Sequence, residues 1–138
     1  MITIIYGDKG TGKTKKIINL ANENINNQKG DVVFLAATSR YRMEISSRIR
    51  FIDVLDIGIA SKDGLIGFVK GLLNGNYDIE TVYIDGIYKM ARTTIDSEEM
   101  AELMMALDSL SNHGIKFIIT ISCSKEKLPA FIAKYIKD

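Results

Sequence analysis

Eight consecutive residues near the start of the chain combine glycines with a lysine and a threonine. They are Gly7, Asp8, Lys9, Gly10, Thr11, Gly12, Lys13 and Thr14. This run fits G-x-x-x-x-G-K-[ST], the P-loop pattern, at every fixed position. Backbone N–H groups can wrap a polyphosphate closely only where the main chain is free of side chains and can take positive φ, which glycine allows. We therefore predict that residues 7–14 bind the phosphates of a nucleotide, with ATP as the expected cofactor.

The lysine and threonine that end this run have separate chemical tasks. Lys13 places a point charge against the β- and γ-phosphates, and Thr14 offers a hydroxyl to Mg²⁺. The pattern that follows is helical, so the positive end of a helix dipole also faces the anion. A nucleotide-binding site with Mg²⁺ as second cofactor follows from these residues.

A second candidate ligand for the metal is Asp85. It ends the apolar run 81–85, which reads as a strand closing on a carboxylate. In a parallel sheet the strands end at one common rim, so Asp85 and Thr14 can face the same Mg²⁺. We predict that Asp85 is a metal ligand and a catalytic residue together with Lys13.

Length and composition are those of one globular domain covering residues 1–138. Hydrophobic residues make up 46% and charged residues 25%, and the net charge of +1 gives no overall attraction to nucleic acid or membrane. The single cysteine, Cys123, excludes an internal disulfide and a Cys-based zinc site. Met1 leads directly into a strand pattern without a signal-like segment, so we expect a cytoplasmic protein.

Apolar periodicity in the first half predicts strands alternating with helices. Strands are expected at 2–6 and 32–36, separated by a helix over 13–28. Ser39 can N-cap a short helix through about residue 49, and 51–59 reads as an interrupted strand at the edge of the sheet.

The second half continues the alternation. Ser61 can cap a helix that ends near residue 75, followed by the strand 81–85. Asp96 with Glu99 is a plausible capping pair for a helix that stops before Gly114. The last strand is expected at 116–122, and a final helix at 128–137. Strands alternating with helices predict βαβ units and a parallel sheet.

Three glycines interrupt the helix that follows Ser61. Gly64, Gly67 and Gly71 each cost up to about 1 kcal/mol relative to alanine inside a helix. The helix is therefore expected either to pack very closely on the sheet at these positions or to be weak.

Taken with the P-loop, the order of these motifs resembles RecA-like ATPases, over nearly the whole chain. Residues 84–87, Ile-Asp-Gly-Ile, are similar to the family's Walker B strand end, and 117–122 to the strand that follows it. The resemblance implies a three-layer α-β-α sandwich with a five-stranded parallel sheet of P-loop NTPase (RecA-like) topology. It also implies the strand order 3-2-4-5-1, with the first strand at an edge. Pairing of the Asp85 strand with the first strand would instead favour a kinase-like order.

Two positions depart from the family pattern. The glutamate that activates water is replaced by Thr38 or a neighbour, and the glutamine that senses the γ-phosphate is Cys123 here. General-base assistance is typically worth about 10²- to 10⁴-fold, so we expect slow ATP hydrolysis unless Glu44 substitutes as the catalytic base.

Four arginines gather around the predicted second helix and leave more than one function open. They are Arg40, Arg42, Arg48 and Arg50. They form a solvated face, or bind a base, a phosphate acceptor, or the γ-phosphate held by a neighbouring subunit. The first hypothesis is a weak ATPase whose activity is coupled either to assembly into a homo-oligomer or to a protein partner. The alternatives are a small nucleoside or nucleotide kinase and a non-catalytic module regulated by nucleotide; charge does not indicate nucleic acid as a partner.

Overall fold

The computed structural model describes residues 1–136 as a parallel sheet with helices on both faces. The strands are β1 (Ile2–Gly7), β2 (Asp31–Ala36), β3 (Arg50–Asp53), β4 (Ile79–Asp85) and β5 (Lys116–Ser122). The helices are α1 (Lys13–Asn24), α2 (Lys62–Gly75), α3 (Ile87–Ala91), α4 (Glu98–Ser111) and α5 (Ala130–Ala133). Short 3₁₀ turns occur at Ile25–Asn27, Arg42–Glu44 and Lys125–Lys127.

All five strands are parallel, in the order β1-β5-β4-β2-β3. This confirms the predicted fold class and the predicted order, with β1 at one edge and β3 at the other. Ile5 of β1 pairs with Thr120 of β5, and Ile119 of β5 pairs with Ile84 of β4. Because β5 separates β1 from β4, the kinase-like order is not observed.

The two faces of the sheet are covered unequally. On one face α1 packs through Ile17, Ile18 and Ala21 against a cluster that includes Phe34 and Tyr83. On the other face, residues of α2, α3, α4 and α5 share one larger core with the opposite side chains of the strands. Burial of these helical stripes against strands that are apolar on both faces produces the α-β-α sandwich.

The helix predicted from Ser39 to residue 49 is wrong. Only the 3₁₀ turn Arg42–Glu44 forms there, although Ile45 and Ile49 are buried as the pattern required. The side chain of Thr38 accepts from the N–H of Arg40, at 3.2 Å. Such local side-chain bonds compete with helical backbone bonds. The segment 37–49 is therefore an irregular crossover beside α1, and its arginines do not lie on a helix.

Three boundaries also differ from expectation. β3 stops at Asp53, whose Oδ1 accepts from the N–H of Asp56 and turns the chain. The N-cap of α4 is Ser97, which accepts from the N–H of Met100, so the capping pair of Asp96 and Glu99 is wrong. The last helix is confined to Ala130–Ala133, and the predicted continuation to 137 ends outside the described residues.

The glycines of α2 do not pack closely on the sheet. A Cβ atom built on Gly67 or on Gly71 would meet nothing within 4 Å. Gly64 differs, because its Cβ would lie 2.9 Å from the Oγ of Ser61, the residue that caps the helix. Of the two predicted explanations, close packing is therefore excluded at Gly67 and Gly71.

No helix within residues 1–136 is long and apolar enough to cross a membrane.

Candidate functional site

The loop between β1 and α1 has the backbone shape that its sequence requires. Gly10 and Gly12 have φ of 84° and 83°, values that residues with a side chain rarely adopt. The carbonyl oxygen of Asp8 accepts from the Thr11 N–H at 3.3 Å and from the Thr11 hydroxyl at 2.7 Å, which closes the turn. The loop is thus folded by its own short-range hydrogen bonds, with its glycines at the positions of positive φ.

Lys13 lies over this loop at the first position of α1. Its Nζ donates to the carbonyl oxygen of Asp8 at 2.9 Å, and the side chain is half-buried. An ammonium group carries three N–H donors, so this contact leaves donors available for a phosphate. Lys13 is therefore positioned above the loop where an anion would be surrounded by N–H groups.

The N-terminus of α1 offers unoccupied donors of its own. Gly12 is the N-cap, and it can provide no side-chain acceptor, while the first turn contains no acidic residue. The first N–H groups of a helix have no partner inside the helix, and the helix dipole favours an anion beside them. The glycine loop, Lys13 and the N-terminus of α1 thus all present N–H donors at the same end of the sheet.

Asp85 lies at the same rim of the sheet, on the face covered by α1. Tyr83, two residues earlier on β4, packs in the cluster under α1, and alternation along a strand puts the Asp85 side chain on that face too. The Thr120 hydroxyl of β5 donates to Asp85 Oδ1 at 2.6 Å. The carboxylate is half-buried and is held towards β5, the strand beside the P-loop strand.

The donor chemistry of this rim suits magnesium. Thr14 supplies a hydroxyl and Asp85 a carboxylate, both hard oxygen ligands. Among residues 1–136 there is no cluster of three or more His, Cys, Asp and Glu side chains. Mg²⁺ in proteins is commonly held by one or two carboxylates together with substrate phosphates and water, so Thr14 and Asp85 would suffice when a nucleotide supplies the remaining oxygens.

Glu44 is not brought to this rim. Its backbone oxygen accepts from Asn22 Nδ2 at 2.8 Å, and its side chain is exposed. Asn22 lies near the C-terminal end of α1, about 13 Å along the helix axis from Lys13 at the usual rise per residue. The structure therefore gives no support to Glu44 as a substitute base.

The two positions that depart from the family pattern do lie near the P-loop rim. Thr38 follows the end of β2, and Ala36 of that strand pairs with Asp85. The N–H of Cys123 donates to the carbonyl oxygen of Gly7 at 3.0 Å, which places the buried thiol at the start of the loop. Neither a hydroxyl nor a buried thiol provides a carboxylate base for an attacking water.

Sequence reasoning missed two side chains at this rim. Thr120, which fixes Asp85, is the polar residue within the apolar run of β5, and this was the signal that could have found it. Tyr88 of α3 donates to the carbonyl oxygen of Ser122 at 3.4 Å. Burial, and secondarily the charge of nearby Cys123, raise the pKa of Tyr88 to about 12, so its phenol stays protonated at neutral pH.

Comparison with known proteins supports the fold. No protein-family profile matches the chain, and no curated protein matches its sequence. A solved structure of a KaiC-like protein from the hyperthermophilic archaeon Pyrococcus horikoshii OT3 is similar, with a TM-score of 0.66 and 16% sequence identity. The similarity covers 97% of this chain and 68% of that protein. At this identity the likeness concerns the fold alone, which is RecA-like.

Proposed function

We propose that the chain binds Mg-ATP at residues 7–14 and hydrolyses it slowly. The observation that carries the proposal is the placement of the glycine loop, Lys13 and the first turn of α1 at one rim of the sheet, with Asp85 held at that rim on the α1 face. A RecA-like fold found by comparison adds support, because domains of this type use the same rim.

Each residue has one role in this proposal. Loop N–H groups around Gly10 and Gly12 surround the β-phosphate, and Lys13 exchanges its bond to the Asp8 carbonyl for the γ-phosphate. Thr14 and Asp85 hold Mg²⁺, which neutralises charge that develops on the phosphates. Thr120 keeps the Asp85 carboxylate in position. Because no carboxylate orients the attacking water, we expect ATP to bind but to be hydrolysed slowly.

Thermal unfolding tests the binding step. A ligand present at a hundred times its Kd stabilises a protein by about 2.7 kcal/mol, which is several degrees for a domain of this size. We expect Mg-ATP to raise Tm by that amount, and Lys13→Ala to lose most of the increase. Lys16→Ala, at an exposed position of the same helix, is the matched control and should keep it. An unchanged wild-type Tm at millimolar Mg-ATP would refute the proposal.

The kinase alternative receives no support from the arginines. Arg42, Arg48 and Arg50 line a cleft beside β3, at the edge of the sheet opposite β1. An acceptor gripped there would be far from a phosphate held between β1 and α1.

A further inference from the structure

A cleft of about 1060 Å³ lies at the corner of the sheet where β3 begins. β2 pairs with β4 from Asp31 onwards, but with β3 only from Val33 onwards. Asp31 and Val32 therefore have no strand beside them on the β3 side. We call this cleft the corner notch; its floor is the start of β2 and β3, and its walls are residues 42–49 and the end of α2.

Three arginines surround the corner notch without acidic partners. Arg42 stacks over the Phe51 ring at 4.7 Å, and Arg48 Nη1 donates to Asn26 Oδ1 at 2.8 Å. Arg50 is exposed at the first position of β3. Among residues 1–136, the ion pairs all involve Lys62, so none of the three arginines has a carboxylate within 4.0 Å. The acidic residue of the lining, Asp31, already accepts from Asn76 Nδ2 at 2.8 Å.

Two of the three α2 residues that line the notch are glycines; the third is Leu72. Gly71 and Gly75 belong to the lining, and a Cβ on either would meet nothing within 4 Å. Glycine inside a helix costs about 1 kcal/mol relative to alanine, and no contact within the described chain explains that cost. The positions without a side chain allow another backbone to approach closely, and the half-buried Leu72 between them can contact an apolar side chain.

A peptide fits this surface better than a nucleic acid does. The aromatic ring of the lining, Phe51, is covered by Arg42 on one side and stacks with Phe34 at 5.9 Å, so it offers no free face for a base. An exposed strand edge, in contrast, is a common docking place for an extended peptide, whose backbone adds to the sheet while alternate side chains enter pockets. Arginine pairs with carboxylates in a bidentate geometry.

We propose that the corner notch binds an extended segment of a partner protein in which carboxylate side chains alternate with apolar ones. The segment lies beside the start of β2, in line with β3. Its carboxylates contact Arg42 and Arg48, which lie on the α1 face of the sheet, and its apolar side chains contact Leu72 on the opposite, α2 face. This site is separate from the P-loop and does not depend on nucleotide binding.

Fluorescence anisotropy with the intact chain tests the proposal. The probe is a fluorescein-labelled octapeptide of alternating glutamate and valine with blocked ends, and we expect binding that weakens with added salt. Replacing Arg42 and Arg48 together by glutamine should weaken binding about tenfold, since each exposed ion pair contributes modestly. Gly71→Leu should abolish binding by filling the gap, while a leucine at this open helical position leaves the fold intact.

Matched controls separate the notch from other surfaces. Gly67→Leu places leucine on the same helix, at an equally open position outside the lining, and should bind like wild type. Lys13→Ala should also bind like wild type, which distinguishes failure here from failure of the nucleotide proposal. The proposal would be overturned by absence of binding at about 1 mM peptide, or by unchanged affinity in the double arginine variant or in Gly71→Leu. Preference for a lysine-valine peptide or for a single-stranded oligothymidylate would also overturn it.

Discussion

One hydrogen bond decides how the carboxylate of Asp85 is presented. Thr120 donates to Oδ1, so the other oxygen remains available for a metal. A hydroxyl can donate equally well to an amide oxygen, which means that charge and position can be separated by substitution.

We predict that Asp85→Asn keeps the fold and loses the magnesium-dependent part of ATP binding. Asparagine retains an acceptor for Thr120 but removes the charge that Mg²⁺ requires. The increase in Tm with ATP should then be the same in Mg²⁺ and in EDTA, whereas the wild type should show a larger increase in Mg²⁺. A magnesium-dependent increase that survives in Asp85→Asn would remove Asp85 from the metal site.

For single residues, the sequence predicted the required residue types better than the places that the fold gives them. The placement of the glycine loop, Lys13 and Asp85 at one rim followed from the strand-loop-helix pattern and the common rim of parallel strands, and their binding of phosphate and Mg²⁺ stays a prediction. The place of Glu44 was not predictable, because the path of residues 37–49 depends on tertiary hydrogen bonds from Asn22. Thr120 was missed because a threonine in a strand is usually there for its β-branched shape.

Among the elements, α1 holds the irregular crossover through one side chain. Asn22 Nδ2 donates to the Glu44 carbonyl oxygen at 2.8 Å, and Asn22 Oδ1 accepts from the Ser46 N–H at 2.9 Å. These two bonds replace backbone bonds that a helix over 39–49 would have made.

We predict that Asn22→Ala lowers the free energy of unfolding by about 1 kcal/mol, since the partly buried Ser46 N–H and the exposed Glu44 carbonyl oxygen lose their partner. Asn19→Ala is the matched control, because Asn19 is exposed on the same helix. Chemical denaturation of both variants would measure the difference. Equal stability of the two would show that water satisfies Glu44 and Ser46 just as well.

Helix α2 permits a stabilising substitution. Gly67→Ala should raise Tm by about 3 to 6 °C, because alanine is favoured over glycine by about 1 kcal/mol and its methyl group meets nothing within 4 Å. Gly64→Ala should gain less, since its methyl group would press on the capping Ser61. A fall in Tm for Gly67→Ala would mean that this face of α2 is covered in solution.

The elements also show where sequence periodicity stops being informative. The long helices and every strand except β3, which ends six residues early, were predicted within a few residues because their buried stripes repeat regularly. The strand order followed from the family resemblance. Residues 37–49 carry a helical spacing in Ile45 and Ile49, yet both side chains reach the core from irregular backbone. The spacing of apolar residues indicates which side chains are buried. It predicts a helical backbone only where the local hydrogen bonds are also helical.

For the whole molecule we predict slow, concentration-dependent hydrolysis. Typical enzymes turn over about ten times per second, and the missing base should reduce this by about 10²- to 10⁴-fold. A neighbouring copy that supplied an arginine from residues 40–50 would accelerate the reaction, as arginines do in other phosphoryl transfers. Phosphate release per chain should therefore be measured across a range of protein concentrations.

A dilute protein that turned over many times per second would show that an internal base exists. Glu44→Gln would then identify or exclude the exposed Glu44 directly. Release per chain that stayed constant with concentration would exclude a contribution from neighbouring copies.

The unequal covering of the sheet has a consequence for motion. Residues 37–49 are held by short turns and by contacts to Asn22 and Asn26, whereas the strands beneath them are joined by continuous ladders. Local opening requires less free energy where few backbone bonds and little apolar contact must be broken. We therefore expect amide hydrogens of this crossover to exchange with solvent without global unfolding, and those of the strand ladders beneath it to exchange far more slowly.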